Sequence, residues 1–312
     1  MGRTLVERVA TLTAPFWGES VFRSGQAAIL ASRAARDRFV DLWDAEVRVF
    51  SQWGEDGVLD YLCEALGLAR PSAIELGAGN YLECDTRFLA EYRNAAVTVV
   101  DARGDLAKTV QRLPLWWRTT IDVRNQWITP DTVGPLMEQA KVAYGGLDVV
   151  TLDIDGNDYW VAEAMDLAGV SIVMVEYNAV FGDRPVTVPR QDGFVVADAH
   201  PSGVYFGASL AAFVDLFEKR GFAFVGANRA CCNAFFVPVE RIGSLSITIP
   251  EVGDLSRYTD YRYRTARDGK GRLAGLTPSQ TRHLIRNLPL VDTRTGTPLR
   301  VGDVVPGGIS SG

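Results

Sequence analysis

Short apolar segments alternate with helical segments between residues 73 and 176, and this alternation constrains the fold more than any other feature of the sequence. The predicted strands are 73–76, 96–100, 118–123, 148–152 and 171–176. The predicted helices between them cover about 86–92, 106–111, 131–142 and 158–167. Because parallel strands need long crossover connections, which helices usually provide, the pattern predicts an α/β fold with helices on both faces of a parallel sheet.

The strand series ends in a different arrangement. A helix predicted over 208–220 stops at Gly221, and strands predicted over 222–226 and 233–237 follow. A connection as short as 227–232 can join only antiparallel neighbours. We therefore predict a seven-stranded, mostly parallel sheet with a C-terminal antiparallel hairpin.

Three regions are predicted along the chain of 312 residues: an N-terminal helical cap (1–50), the α/β domain (51–239) and a basic C-terminal extension (240–312). The cap could cover a ligand or form a dimer. The segment from Arg257 to Arg300 carries ten Lys or Arg and three Asp, whereas the whole chain has a net charge of −6. This extension could close over an anionic substrate or pack against the acidic body of the domain.

Composition excludes several classes of function. A net charge of −6 disfavours a duplex nucleic-acid partner, because nonspecific binding depends on basic side chains that neutralise phosphates. No uncharged apolar segment approaches the roughly 18 residues of a membrane span, and the N-terminus has no apolar signal core. Four cysteines without metal-ligand spacing, together with only two histidines, indicate free thiols in the cytoplasm and no His-based zinc site.

A glycine-rich turn follows the first strand. Glu75 lies two residues before Gly77, and Gly79 lies two residues after it. Asp101 ends the second strand. Glycines let the backbone approach a ligand, and a carboxylate at the end of the next strand commonly accepts hydrogen bonds from a ribose. The pattern favours an adenosine-type ligand, although Gly77 and Gly79 could also form only a tight turn between strand and helix.

Acidic side chains follow two later strands. Asp153, Asp155, Asn157 and Asp158 lie within six residues, and Glu176 ends the next strand. Because crowded carboxylates repel, one must be protonated or a cation must lie among them. Asp153, Asp155 and Glu176 could act as a base or orient a protonated amine, and Asp153, Asp155 and Asn157 could bind a divalent cation. Asn157 and Asp158 could instead only form a turn and cap the next helix.

Further site residues follow from position and residue type. Tyr177 and Asn178 come directly after Glu176 and could contact a substrate, although Tyr177 could also be a core residue. His200 is a candidate general base, although a single loop histidine is often an ordinary surface residue. Arg262 and Arg264, in the basic extension, could bind an anionic group such as a sulfate, phosphate or carboxylate.

Five sequence blocks occur in the order found in one enzyme family. They are SQWGEDG (51–57), LDIDGNDYW (152–160), VEYN (175–178) followed by FG (181–182), GASL (207–210) and NAFFV (233–237). Together they resemble FkbM-like methyltransferases dependent on S-adenosyl-L-methionine (SAM), and the resemblance extends over about 51–237. It implies a Rossmann-like class I methyltransferase fold, with the helical cap and the basic extension outside the matched region.

The resemblance also implies site roles. Glu75, Gly77 and Gly79 would belong to the SAM-binding loop, Asp101 would contact the ribose and Asp122 would lie near the adenine. Asp153 would contact the cofactor as well as the acceptor. The implied activity is O- or N-methylation of a small molecule in bacterial secondary metabolism such as antibiotic biosynthesis. The basic extension could suit a substrate that is anionic or carrier-bound.

The glycine turn departs from the methyltransferase pattern at one position. Asn80-Tyr81 occupies the place where such loops usually have a third glycine, and the Tyr81 side chain could crowd the methionine end of SAM. The alternative function is therefore non-methylating chemistry on the same scaffold. It would be elimination or intramolecular ring closure, such as aziridine formation from an amine with an anionic leaving group. A third class is a catalytically silent partner that only stabilises another subunit. In any of these classes, the chain could form a homodimer or bind a small accessory protein.

Overall fold

The computed structural model describes residues 23–113, 119–261, 265–268 and 270–304. Seven strands form the main sheet: β1 (Ser72–Leu76), β2 (Ala96–Asp101), β3 (Ile121–Asn125), β4 (Val149–Leu152), β5 (Ile172–Glu176), β7 (Phe222–Ala227) and β8 (Asn233–Pro238). Their order is β3-β2-β1-β4-β5-β8-β7. Strands β1 to β5 are parallel, and β8 lies antiparallel between β5 and β7. The predicted Rossmann-like methyltransferase fold, with its terminal hairpin, is confirmed.

Helices cover both faces of this sheet. The covering helices are α2 (Glu55–Ala65), α3 (Arg87–Arg93), α4 (Leu106–Arg112), α5 (Pro130–Tyr144), α6 (Asp158–Ala164) and α8 (Leu210–Glu218). The described residues also form α1 (23–35), α7 (Val196–Ala199), α9 (Pro278–Ile285) and α10 (Val301–Val304). Successive strand residues face opposite sides, so Ile74 and Leu76 join one core with α5, α6 and α8, and Ala73 joins another with α2, α3 and α4. Strands buried on both faces account for the continuous apolar segments in the sequence.

Part of the predicted N-terminal cap lies outside the described residues, and the rest contains α1. Arg33 on α1 donates to Asp60 on α2 at 2.8 and 2.9 Å, and Arg93 on α3 donates to the same carboxylate at 2.8 Å. Asp60 is only 2% exposed. This buried network fastens α1 to the α/β domain.

Several boundaries differ from those predicted, by one to three residues. Strand β3 extends to Asn125 rather than ending at residue 123, because its pairing with β2 continues as far as Asp101 opposite Asn125. Helix α6 ends at Ala164 rather than near 167, and Met165 is already in an extended conformation. Periodicity alone does not show where a strand loses its partner or where a helix gives way to a turn.

A second sheet was not predicted. Strand β6 (Val186–Thr187) lies where the sequence predicted neither strand nor helix. It pairs antiparallel with β9 (Pro289–Asp292), which pairs with β10 (Pro298–Arg300). This small sheet connects the C-terminal extension to the segment after β5. Helix α9 begins at a capping box between Thr277 and Gln280. In the described ranges, no helix combines the length and apolar character needed to cross a bilayer.

Candidate functional site

A cavity of about 310 Å³ opens at the carboxyl ends of β1, β2 and β4. It is lined by Gly77, Gly79, Asp101, Ala102, Arg103, Trp127, Ile128, Thr129, Pro130, Asp153, Ile154, Asp155, Gly156, Asn157, Arg190, Gln191, Asp192, Gly193 and Phe194. Since β1 has β2 on one side and β4 on the other, the connections leave in opposite directions here. Open α/β sheets bind ligands in the crevice at such a switch point, and the volume falls in the range of roughly 300–1,000 Å³ typical of small-molecule sites.

The two glycines of the turn have different structural roles. At Gly77, where φ is +99°, a Cβ would lie 1.6 Å from the carbonyl oxygen of Asp153, so the close approach of β1 and β4 requires glycine. At Gly79, where φ is +56°, a Cβ would meet nothing within 4 Å. Only Gly79 therefore leaves free space that a ligand could use, whereas Gly77 is required by the protein itself.

Asp101 holds the glycine turn in place. Its Oδ2 accepts a hydrogen bond from Gly79 N at 2.8 Å, and its Oδ1 accepts one from Arg103 N at 2.8 Å. A carboxylate has about four lone-pair positions, so the side chain can still accept hydrogen bonds from a ligand. Asp101 lies on the cavity wall, as the ribose-contact prediction requires.

Tyr81 does not enter the cavity. It has a left-handed backbone (φ 61°), its side chain is fully buried, and its hydroxyl lies 3.3 Å from Thr86 Oγ1. The ring belongs to the core that α2 and α3 form against the sheet. Tyr81 thus retains a backbone conformation typical of glycine while its side chain points into the core, so the predicted crowding of the methionine end does not occur.

Glu75 stabilises the segment after the turn and is not among the cavity-lining residues described. Its carboxylate accepts hydrogen bonds from Asp85 N at 2.9 Å, from Thr86 N at 3.0 Å and from the Thr86 hydroxyl. Burial raises the pKa of Glu75, although these donors oppose that shift. A role in shaping the loop is what this geometry offers, and direct contact with a cofactor stays a prediction.

Three carboxyl groups meet at the ends of β4 and β5. One oxygen from each of Asp153, Asp155 and Glu176 lies within 4.8 Å of the others, and we call these residues the acidic trio. Burial, followed by mutual repulsion, raises the pKa of Asp153 and of Glu176 well above the usual values. Burial also raises the pKa of Asp155. The predicted crowding of carboxylates is present, so a proton or a cation is needed to relieve their repulsion.

Asn157 and Asp158 organise the loop around the trio. The Asp158 carboxylate accepts hydrogen bonds from Ile154 N at 2.9 Å and Gly156 N at 2.8 Å, and burial raises its pKa to about 6. The Asn157 amide donates to the carbonyl of Gln191 and accepts from its N–H at 3.4 Å. Asn157 thus clips the segment 190–194 to the cavity wall. The group that could hold a metal ion contains Glu176 in place of the predicted Asn157.

Several predicted site residues lie elsewhere. Asp122 lies within β3 and forms an ion pair with Arg124 at 2.8 Å. Because the strand continues past Asp122, it is Trp127 that lies at the cavity. Tyr177 is completely buried and donates to the Tyr258 carbonyl at 2.7 Å. It is thus a core residue, the alternative left open by the sequence.

The buried Asn178 amide donates to the carbonyls of Val204 and Phe206, both at 3.0 Å. These hydrogen bonds hold a loop in place, and Asn178 is not among the residues that line the described cavity. His200 lies against Ser202 at 2.7 Å, away from the described lining, and burial lowers its pKa. Arg262 and Arg264 lie outside the described residues.

The cavity residues that the sequence interpretation missed include Arg103, Trp127, Arg190 and Phe194. Arg103 and Trp127 come two residues after β2 and β3, and residues directly after parallel strands share one edge of the sheet. Strand position could therefore have indicated both. Arg190 and Phe194 arrive through the second sheet, and no local signal in the sequence predicts that contact.

No protein-family model and no curated protein matches the chain. Among similar solved structures, cofactor-bound Rv0187 from MTB is 15% identical, with 69% of this chain and 89% of that chain covered and a TM-score of 0.36. A SAM-dependent methyltransferase from Aquifex aeolicus is 11% identical, with coverages of 60% and 89% and a TM-score of 0.33. The pyocyanin biosynthetic protein PhzM is 13% identical, with coverages of 58% and 56% and a TM-score of 0.33.

At such identities and TM-scores, these similarities carry no argument about activity, and membership of the FkbM-like family stays a prediction. The strand order and the position of the cavity do not depend on these similarities, because both are observed in this chain. The described chain has a Rossmann-like methyltransferase fold with an acidic cavity at its switch point.

Proposed function

We propose that this protein is a SAM-dependent O- or N-methyltransferase that acts on a small molecule. The observation that carries the proposal is the cavity in which Gly79, with open space at its missing Cβ, and Asp101, with free lone pairs, face the acidic trio. This arrangement offers a ribose acceptor on one side and proton acceptors on the other. The resemblance to FkbM-like enzymes favours an acceptor from bacterial secondary metabolism.

The residues would divide the work as follows. The backbone at Gly79 and the Asp101 carboxylate would bind the adenosyl part of SAM, which supplies an electrophilic methyl group. Asp153 and Glu176 would take a proton from the acceptor, since burial raises their pKa and makes the ionised forms stronger bases. Phe194 and the clipped segment 190–194 would help to exclude water.

A divalent cation stays a prediction. Its ligands would be Asp153, Asp155 and Glu176, whose oxygens suit hard cations, rather than Asn157. Such a cation would supply a Lewis acid that lowers the pKa of an acceptor hydroxyl.

The proposal is tested by calorimetric titration of the full chain with SAM, comparing wild type with Asp101→Asn and Asp122→Asn. Asn can still accept the hydrogen bond from Gly79 N but not also the one from Arg103 N, so Asp101→Asn removes the charge offered to the ribose together with one hydrogen bond of the loop. We expect micromolar binding by wild type, a loss of about tenfold or more in Asp101→Asn, and no change in Asp122→Asn. Equal affinities for all three proteins would refute the role of Asp101, and no binding by wild type at millimolar SAM would refute the proposal.

Repurposing for ring closure is not favoured by any specific contact. Its motivation was crowding by Tyr81, and that side chain is buried in the core.

A further inference from the structure

The acidic trio has a buried carboxylate oxygen that a cationic ligand could pair with. Glu176 Oε2 is buried and, among the described residues, has no hydrogen-bond donor. Asp153 and Asp155 line the cavity directly, so a ligand can reach the trio from the space in front of the glycine turn. A group bound there would contact Asp153 and Asp155, and a Glu176 oxygen lies within 4.8 Å of one oxygen of each.

Within 23–113, 119–261, 265–268 and 270–304, no Lys or Arg forms an ion pair with a member of the trio. The two arginines on the cavity wall have other partners: Arg103 pairs with Asp105 at 3.2 Å, and Arg190 pairs with Asp131 at 3.8 Å. The charge of the trio is therefore not compensated by these basic side chains.

This electrostatic environment discriminates between acceptors. A hydroxyl acceptor develops negative charge as it loses its proton, and three carboxyl groups within a few ångströms disfavour an anion. An amine, in contrast, enters as a cation and leaves as a cation. The carboxylates favour both of these charged forms and can accept the proton in between.

We propose that the acceptor is an amine, bound as its ammonium form between Asp153, Asp155 and Glu176. This inference rests on the proposed methyltransferase function and narrows it to N-methylation. Trp127 and Phe194 line the same cavity, so an amine that carries an aromatic group fits its walls.

The transfer balances as follows. One ammonium proton passes to the Asp153–Glu176 pair, which frees the nitrogen lone pair. That lone pair forms the new N–CH3 bond while the S–CH3 bond breaks, and the electron pair of the broken bond stays on sulfur as a neutral thioether. The methylated nitrogen carries the positive charge, and the proton held by the carboxyl pair is released to solvent when the product leaves.

The test uses 2-phenylethylamine and its uncharged analogue 2-phenylethanol as probes. Each is titrated calorimetrically into the full chain in EDTA, with and without saturating S-adenosylhomocysteine. The proteins are wild type, Glu176→Gln and the control Glu163→Gln, which removes the same charge from an exposed position on α6. We expect wild type and Glu163→Gln to bind the amine about tenfold more tightly than the alcohol, and Glu176→Gln to lose that preference.

Three outcomes would overturn the inference. Wild type could bind amine and alcohol equally, Glu176→Gln could weaken SAM binding without affecting the amine, or Mg²⁺ could promote binding of the alcohol through the trio. The second outcome would assign the trio to the ammonium group of SAM, and the third would make it a metal site. If SAM binds and the amine does not, only this inference fails. If the amine binds a chain unable to bind SAM, the methyltransferase proposal and N-methylation fail, and only the amine site remains.

Discussion

The two glycines of the turn provide the sharpest test of the site, because they look equivalent in the sequence and differ in the structure. Gly77→Ala places a Cβ 1.6 Å from the Asp153 carbonyl oxygen, so β1 and β4 must separate locally. That separation endangers the hydrogen bonds from Gly77 N to Val100 O and from Asp153 N to Leu76 O, both 2.9 Å. Gly79→Ala meets no atom within 4 Å and incurs only the strain of a left-handed alanine.

The expected magnitudes follow from these contacts. Gly79→Ala should lower the free energy of unfolding by about 1–2 kcal/mol. Gly77→Ala adds about 1 kcal/mol for each of two backbone hydrogen bonds to a similar strain, so a loss of at least about 3 kcal/mol is expected. Urea denaturation followed by tryptophan fluorescence measures both values.

Gly79→Ala, the substitution that should cost less stability, should strongly affect the binding of SAM. Where Gly79→Ala remains folded, its methyl group occupies space beside the adenosyl position, so we expect SAM affinity to fall at least tenfold. The account of the turn is refuted if Gly77→Ala unfolds within 1 kcal/mol of wild type, or if Gly79→Ala binds SAM normally.

Three further perturbations test the surrounding structure. Asp60→Asn leaves Arg93 buried without its main partner, so urea denaturation should show a loss of about 3 kcal/mol; a loss below 1 kcal/mol would contradict the network. Because folding raises the Asp158 pKa to about 6, stability should decline as pH rises from about 4 to about 6, by roughly 3 kcal/mol from this group; Asp158→Asn should flatten that decline, and an unchanged slope would contradict it. Asn157→Ala should release Gln191 and speed proteolysis at 190–194 while the melting temperature stays within a few degrees; wild-type resistance to proteolysis would rule out the clip.

Much of the fold could be predicted because its signals are local. The central parallel strands of the main sheet are buried on both faces, so β1 and β4 appear in the sequence as short apolar segments. The close pairing of Gly79 with Asp101 also follows a simple rule, since the ends of adjacent parallel strands meet at one edge.

The second sheet could not be predicted in the same way. Strand β6 has only two residues, and it exists because β9, about a hundred positions later, pairs with it. Nothing in a two-residue strand distinguishes it from a loop. The missed cavity residues Arg190 and Phe194 depend on the same segment.

Side-chain direction explains the remaining differences at the site. Tyr81 and Tyr177 were placed near the ligand by sequence position, yet both side chains are fully buried in the cores. Asp122 was displaced from the cavity by the two additional residues of β3. A shift of two residues decides which residue reaches the edge of a sheet. Boundaries drawn from apolar patterning are not accurate enough to fix a shift that small.

The central claim is that the cavity in front of Gly79 receives the adenosyl group of SAM. The measurement that tests it most directly is a structure of the wild-type chain determined in the presence of SAM. The claim predicts the ribose hydroxyls within hydrogen-bonding distance of Asp101 and the methyl group directed toward the acidic trio. A vacant cavity at saturating SAM, or a cofactor bound elsewhere on the chain, would contradict it.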